Sequence, residues 1–282
     1  MSAGFAFFVI LALVAQLVLT SLDPIPESFE AAEKWPECAD VINHIWNQGQ
    51  CNSCWAVATA GAISDRICIA TKGRIKVNIS AIHMVDCDGK GCGCGDYPLK
   101  GEQGFIKHGL PTGGDYHSNQ GCQPYPVAMS DEILDFKSAQ LFQGTQCSFK
   151  CRPGYNRTYE EDLFFGKEVV SFTAKNDSLV ESMQHELMKN GPFTITMIIY
   201  SDFGQYNHGI YRPGPNVTKS GYHAVRLIGW GVENGTKFWR VANSWGPNNK
   251  EHGFFRIVRG INCAEFEQYP SAVTIDTDRL PW

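Results

Sequence analysis

The sequence predicts an α+β fold of two lobes, a helix-rich one followed by an antiparallel β one, with a cleft between them. Three observations carry this expectation. The first half holds one strong helical pattern, the second half is a series of short apolar or aromatic runs between Gly and Asn turns, and no repeat or low-complexity segment interrupts either. Hydrophobic residues make up 43% of the 282 and charged ones 19%, an ordinary globular composition that excludes wholesale disorder and a multi-span membrane protein. A formal charge of −5 argues against an electrostatic nucleic-acid binder.

The elements follow in chain order. Met1 to Leu22 carries no charged side chain, and Phe5 to Leu19 is apolar apart from Gln16. That run suits the core of a secretory signal peptide and falls short of the ~20 residues that span a bilayer. A signal peptide over 1–20 is expected, cleaved at Val18-Leu19-Thr20 or Leu19-Thr20-Ser21, with an uncleaved anchor as the alternative. Secretion makes disulfides plausible among the 11 cysteines, an odd number that leaves at least one thiol over. It also gives meaning to five glycosylation sequons, at Asn78, Asn156, Asn176, Asn216 and Asn234.

The strong helix starts after Ser53, which can cap it. Trp55, Ala58, Ala62, Ile63, Ile67 and Ile69 follow helical spacing, and Lys72-Gly73 is a C-terminal stop. Cys87 to Tyr97 (C-D-G-K-G-C-G-C-G-D-Y) reads as a stapled loop rather than helix or strand, and Cys122 to Cys151 as a long excursion closed by cysteines. A second helix is expected over Ser182 to Lys189, ending at Asn190-Gly191-Pro192. Strands are expected at Phe193–Tyr200, His223–Trp230, Lys237–Val241 and Gly253–Val258.

Cys54 falls at the start of the strong helix, where free N–H groups and the macrodipole favour an anion and lower a thiol's pKa. An ordinary half-cystine is the alternative. The surrounding residues 47–56 read N-Q-G-Q-C-N-S-C-W-A, residues 221–231 read G-Y-H-A-V-R-L-I-G-W-G, and residues 241–246 read V-A-N-S-W-G. These three segments, in this order, resemble the papain family of cysteine proteases, whose nucleophile signature is C-G-[SA]-C-[WY]. Trp35-Pro36-Glu37-Cys38, Ala62 to Ile69 and Gly229 to Gly235 are similar to its cathepsin B-like branch, and the likeness runs from about Ile25 to Thr274.

The resemblance implies a papain-like two-lobe fold: a helix-rich left lobe with a central helix (about 40–150), an antiparallel β-barrel-like right lobe (about 151–275), and the active site in the cleft, all within a peptidase domain of residues 21–282. It implies Cys54 as nucleophile, His223 as its imidazolium partner, Asn243 as the orienter of that ring and Gln48 as oxyanion donor. Trp245 would shield the His–Asn contact. Gly95, Asp96, Pro98, Thr196, Ala224 and Gln268 would bind substrate. The implied disulfides are Cys38–Cys68, Cys51–Cys94, Cys87–Cys147 and Cys122–Cys151. Cys54, Cys92 and Cys263 are left free, and Cys92 and Cys94 are able to exchange roles.

Five departures from the family pattern bear on function. No histidine lies between Cys122 and Cys151, where the cathepsin B-like occluding loop carries a His-His pair that grips a C-terminal carboxylate. Asp96 replaces a Gly and would intrude where substrate backbone docks. Tyr222 precedes His223 where a small residue is usual and would narrow the site. Asn249-Lys250 replaces Trp-Gly, and Asn52 replaces the Gly beside the nucleophile. Gln268 stands where the branch has an acid, which predicts weaker acceptance of Arg at P2 unless Glu265 or Glu267 supplies that charge. The mature-like segment begins by Pro24-Ile25-Pro26, directly after the signal, so no propeptide is evident.

The expected activity is a cysteine-type endopeptidase acting through an acyl-enzyme, with removal of C-terminal dipeptides doubtful; the alternative is a catalytically impaired binding or decoy protein. No cofactor or metal is expected. Expected partners are peptide or protein substrates and proteinaceous cysteine-protease inhibitors, with no nucleic acid, no membrane after signal cleavage, and a monomeric state. The family implies the secretory pathway, then an acidic lysosome-like vesicle or the extracellular space.

Overall fold

A computed structural model describes residues 23–128, 145–172 and 178–281. The expected signal peptide, residues 129–144 of the Cys122–Cys151 excursion and the sequon at Asn176 lie outside them. The described chain enters by a short strand, β1 (Phe29–Glu30), and two single-turn helices, α1 (Ala31–Lys34) and α2 (Ala39–Ile42).

The expected strong helix is α3 (Cys54–Ala70), and it is enclosed on every side: all residues from Trp55 to Cys68 are buried. Its small residues allow this, since a Cβ at Gly61 would already stand 3.2 Å from Trp46 Nε1. Ser53 takes the N-cap position but, against expectation, caps nothing. Its hydroxyl is drawn instead onto Tyr125, 2.6 Å away. The helix ends at Thr71, with Gly73 in the left-handed region at φ +75°.

Next come β2 (Asn78–Ile79), α4 (Ala81–His83) running into a π-helical turn at Met84–Asp88, α5 (Pro98–Lys107) and β3 (Thr112–Gly113). Two expectations need correction. The Cys87–Tyr97 loop begins inside the π turn, and α5 has no counterpart in the sequence reading because Gly101 and Gly104 dilute its helical signal. Gly104 is nonetheless required, as a Cβ there would stand 2.3 Å from Asp88 Oδ2.

The rest of the chain forms β4 (Gly166–Val169), α6 (Leu179–Asn190), β5 (Phe193–Tyr200), β6 (Ile210–Tyr211), β7 (Lys219–Glu233), β8 (Thr236–Ala242), β9 (Phe254–Val258), β10 (Tyr269–Ser271) and β11 (Val273–Ile275). α6 starts earlier than Ser182 because Ser178 and Glu181 close a capping box. The main sheet runs β10-β5-β7-β8-β9-β6, with β1 paired to β7; all its pairings are antiparallel except β6–β9. This is the two-lobed α+β architecture predicted.

Each lobe has its own apolar core, and β7 is the seam between them. Successive residues of a strand face opposite ways, so Ala224 packs into the helix-side core and Val225 into the sheet-side core. Arg226, on the same side as Ala224, sends Nη1 to both Asp65 carboxylate oxygens on α3 at 2.8 Å, and Nη2 to the carbonyls of Ile42 and His44 at 3.1 and 2.7 Å.

Disulfides Cys38–Cys68, Cys87–Cys147 and Cys122–Cys151 form as expected. The fourth is a correction: Cys51 pairs with Cys92, not Cys94. The Asn52 N–H donates to the Cys92 carbonyl at 3.1 Å and holds that residue beside Cys51, leaving Cys94 exposed as a free thiol.

Candidate active site

Antiparallel pairing of β7 with β8 aligns Arg226 with Ala242, which places His223 and the residue just past β8, Asn243, at one end of the sheet. Both are buried, and His223 Nε2 lies 2.8 Å from Asn243 Oδ1. An amide oxygen only accepts, so Nε2 carries the proton and Nδ1 is left as the basic nitrogen. Nδ1 is buried and has no hydrogen-bond partner among the described residues. Trp245 stacks on the imidazole, ring centroids 4.8 Å apart, and Phe203 meets that indole edge-on at 5.7 Å.

Cys54 is the first residue of α3. Burial pushes its thiol up, opposed by hydrogen bonding from the backbone N–H groups of Ala224, Trp55 and Cys54 itself. Two of these are the free donors of a helix N-terminus, and the third follows His223 directly in the chain. The nucleophile candidate thus lies against the strand residue next to the base candidate, where α3 packs against β7. Burial also lowers the His223 imidazole to about 4, while its bond to Asn243 acts in the opposite sense.

Gln48 is fixed from both ends. Its Oε1 accepts from Ser244 Oγ at 2.6 Å and its amide donates to the Cys51 carbonyl at 2.9 Å. One amide hydrogen is left over beside the start of α3. Tyr125 ties this group together: its hydroxyl donates to the Gln48 carbonyl at 2.9 Å and accepts from Ser53 Oγ. The sequence reading missed Tyr125 and Ser244. Nothing in a linear pattern marks them, since Tyr125 lies 77 positions from Gln48 and Ser244 lies 196.

A cavity of about 440 Å³ opens beside this centre. Of the six expected substrate-binding residues, Pro98, Thr196 and Gln268 line it, joined by Tyr97, Leu99, Tyr222 and β10. Ala224 faces the helix-side core and the Cys54 thiol instead, and Gly95 and Asp96 lie on the loop leading to α5. The Asp96 carboxylate accepts from the Tyr97 N–H at 3.0 Å and from Lys100 Nζ at 2.6 Å. The Tyr222 ring lies under Lys219 Nζ at 3.6 Å, its hydroxyl 3.4 Å from Glu265 Oε2.

Glu267 is buried and committed to Trp239 Nε1 and the backbone N–H groups of Gly260 and Asn262. Asn52 does not use the left-handed region. Lys250 does, at φ +53°, and its ammonium donates to the Phe203 and Gly204 carbonyls at 2.9 and 3.1 Å.

Comparison with known proteins places these features in context. A family model described as papain family cysteine protease matches residues 25–274. The chain is 40% identical over 263 residues to cathepsin B-like cysteine proteinase 2 of Haemonchus contortus, covering 91% of this chain and 75% of that protein. It is 39% identical over 253 residues to cathepsin B-like cysteine proteinase 5 of Caenorhabditis elegans, covering 85% and 72%. Among solved structures, procathepsin B S9 from Trypanosoma congolense matches with a TM-score of 0.75 and 32% identity over 90% of this chain and 79% of its own. Procathepsin L 3 from the larval midgut of Tenebrio molitor shares the fold, with a TM-score of 0.62 at 19% identity over 91% and 72%.

Proposed function

The chain belongs to the papain family of cysteine proteases and is cathepsin B-like, and from that premise we propose that it is an endopeptidase in which Cys54 attacks the peptide carbonyl. The observation that carries the reading is the His223–Asn243 pair, its basic Nδ1 left unpartnered among the described residues, next in the chain to Ala224, whose N–H bonds the helix-borne Cys54 thiol. Burial disfavours a lone charge on either group. Transfer of the thiol proton to Nδ1 creates both charges side by side, where each offsets the other's burial and the N–H groups around the sulfur stabilise the thiolate. The thiolate adds to the carbonyl carbon, His223 protonates the leaving amine, and water deprotonated by the same imidazole releases the acyl group. The remaining Gln48 N–H and the Cys54 backbone N–H serve the oxyanion, a role worth ~10²–10³ in rate per donor. Asn243 holds the ring and Trp245 keeps water from that bond.

Internal cleavage is the better reading because no histidine lies between Cys122 and Cys151 to hold a C-terminal carboxylate. The impaired alternative drew on Asp96 and Tyr222. The ties of Asp96 to Lys100 and of Tyr222 to Lys219 and Glu265 draw both side chains to the rim and weigh against a blocked cleft. The cavity takes the P2 side chain. A wall of tyrosines and prolines with the neutral Gln268 favours apolar over basic residues there, and Glu267 is too committed to supply a charge. Disulfides and the cathepsin B-like relatives fit passage through the secretory pathway to an acidic vesicle or the outside of the cell.

A peptide-library cleavage profile together with an epoxide or fluoromethyl-ketone inhibitor tests the proposal. The wild type cleaves within peptides and takes one adduct on Cys54, and Cys54→Ala loses at least ~10³ in kcat/KM. Residual turnover above a few per cent in that variant, or no adduct on Cys54, refutes the assignment.

A further inference from the structure

The P2 cavity has a second layer. α5 opens with Pro98 and Leu99, which line the cavity, and Glu102 lies one helical turn beyond Pro98 on the same face. Glu102 is 1% exposed, and its Oε2 accepts a hydrogen bond from Ser271 Oγ at 2.7 Å. Ser271 is itself a lining residue, so the carboxyl group sits directly behind the wall. No cation pairs with it among the described residues. Arg66 on α3 is the charge that acts on it, and that guanidinium is taken up by the carbonyls of Pro192, Gly191 and Val273 and by Glu186. The other charges near the rim are the Asp96–Lys100 pair, Lys219 over Tyr222, and Glu265 at the Tyr222 hydroxyl. Burial raises the Glu102 carboxyl to about 7.

We propose that Glu102 is a specificity-determining residue that acts through Ser271, leaving the P2 cavity neutral when protonated and attractive to a cationic side chain when ionised. A carboxylate this close to the cavity, shielded by protein rather than bulk water, shifts binding of a guanidinium by on the order of fivefold to tenfold. The enzyme then selects apolar P2 residues in acid and broadens to basic ones near neutrality. This rests on the reading of the cavity as the P2 site.

Two fluorogenic peptides differing only in Arg or Leu at P2 test it, with kcat/KM measured from pH 5 to 8.5. A second readout, independent of turnover, is the Kd of the same two peptides on the Cys54→Ala protein by calorimetry. The Arg/Leu ratio rises at least fivefold with a midpoint near pH 7 in the wild type. In Glu102→Gln it stays within twofold, and the Leu peptide is still cleaved. Ser271→Ala removes the donor that lowers this carboxyl and moves the midpoint to higher pH. A flat ratio in the wild type, a rise that survives in Glu102→Gln but vanishes in Glu265→Gln, or an unmoved midpoint in Ser271→Ala overturns the proposal. Absence of turnover with a pH-dependent Kd ratio refutes the endopeptidase reading and leaves the role of Glu102 standing.

Discussion

The two walls of the cleft are built by different physics. The wall that carries Cys54 is a buried helix entered through loops, and covalent bonds hold those loops: Cys51–Cys92 and Cys87–Cys147 both tie the segment leading to α5. The wall that carries His223 and Asn243 has no disulfide among its described residues. There the strand register of β5, β7 and β8 fixes the side chains, and Trp245 and Phe203 pack them in place. A sheet specifies positions by repeated hydrogen bonds, whereas an irregular loop has too few of its own and needs cross-links. The contrast makes four predictions, from the largest effect to the smallest.

Arg226→Ala breaks the pin between the walls and leaves the Asp65 carboxyl, which burial raises to about 7 even beside Arg226, buried without its partner, at a cost of about 3–5 kcal/mol in urea unfolding. A loss under 1 kcal/mol would mean that the lobes are joined by packing alone. Replacing Cys51 and Cys92 together with Ser costs about 2–4 kcal/mol and loosens the Cys54 wall, seen as faster amide exchange in residues 87–97, with β7 and β8 unchanged. Cys94→Ser stays within about 0.5 kcal/mol of wild type; the opposite ranking would restore the Cys51–Cys94 pairing.

The walls also respond to pH with opposite signs. The unfolded His223 titrates near 6.5 and the folded one near 4, so between these values only the unfolded chain takes the proton. Its stabilisation is lost as pH falls from about 6.5 to 4, by at most about 3 kcal/mol. Glu102 titrates near 4.5 unfolded and about 7 folded, so its contribution is present below about 4.5 and is lost as pH rises through 7. Unfolding curves at pH 4, 5.5 and 7.5 should flatten on the acid side in His223→Gln and on the neutral side in Glu102→Gln. Variants that parallel the wild type at every pH would remove this distinction.

The smallest effect is Asn243→Ala. It lets the His223 ring turn and lowers kcat by roughly 10–100-fold with KM little changed. A KM effect alone would assign Asn243 to substrate binding.

What could be read in the sequence follows the same division. The strands of the His223 wall were legible because β-branched runs between Gly and Asn turns mark a sheet locally, as in Phe193–Tyr200. α3 was legible from its apolar spacing and Cys54 from its place at the helix start. The loop wall was harder. The choice between Cys92 and Cys94 turns on a single backbone bond from Asn52, and α5 hides behind two glycines whose reason is steric contact with Asp88. The Tyr125 bridge, the Ser244–Gln48 bond and the Glu102–Ser271 bond join positions far apart in the chain, and no periodicity records them. Resemblance to a known family supplied the proposed catalytic set. It did not reveal where Asp96 and Tyr222 direct their polar ends.

One consequence concerns how such a protein is counted at the bench. Cys94 is an exposed free thiol in the loop that leads to α5, immediately before Gly95. Small alkylating reagents will therefore find two accessible sulfurs where an active-site titration assumes one, and molar activities normalised that way will come out low. The same sulfur is also a place for a fluorophore, a built-in reporter at the edge of the cleft whose emission would follow a peptide in and out without touching Cys54.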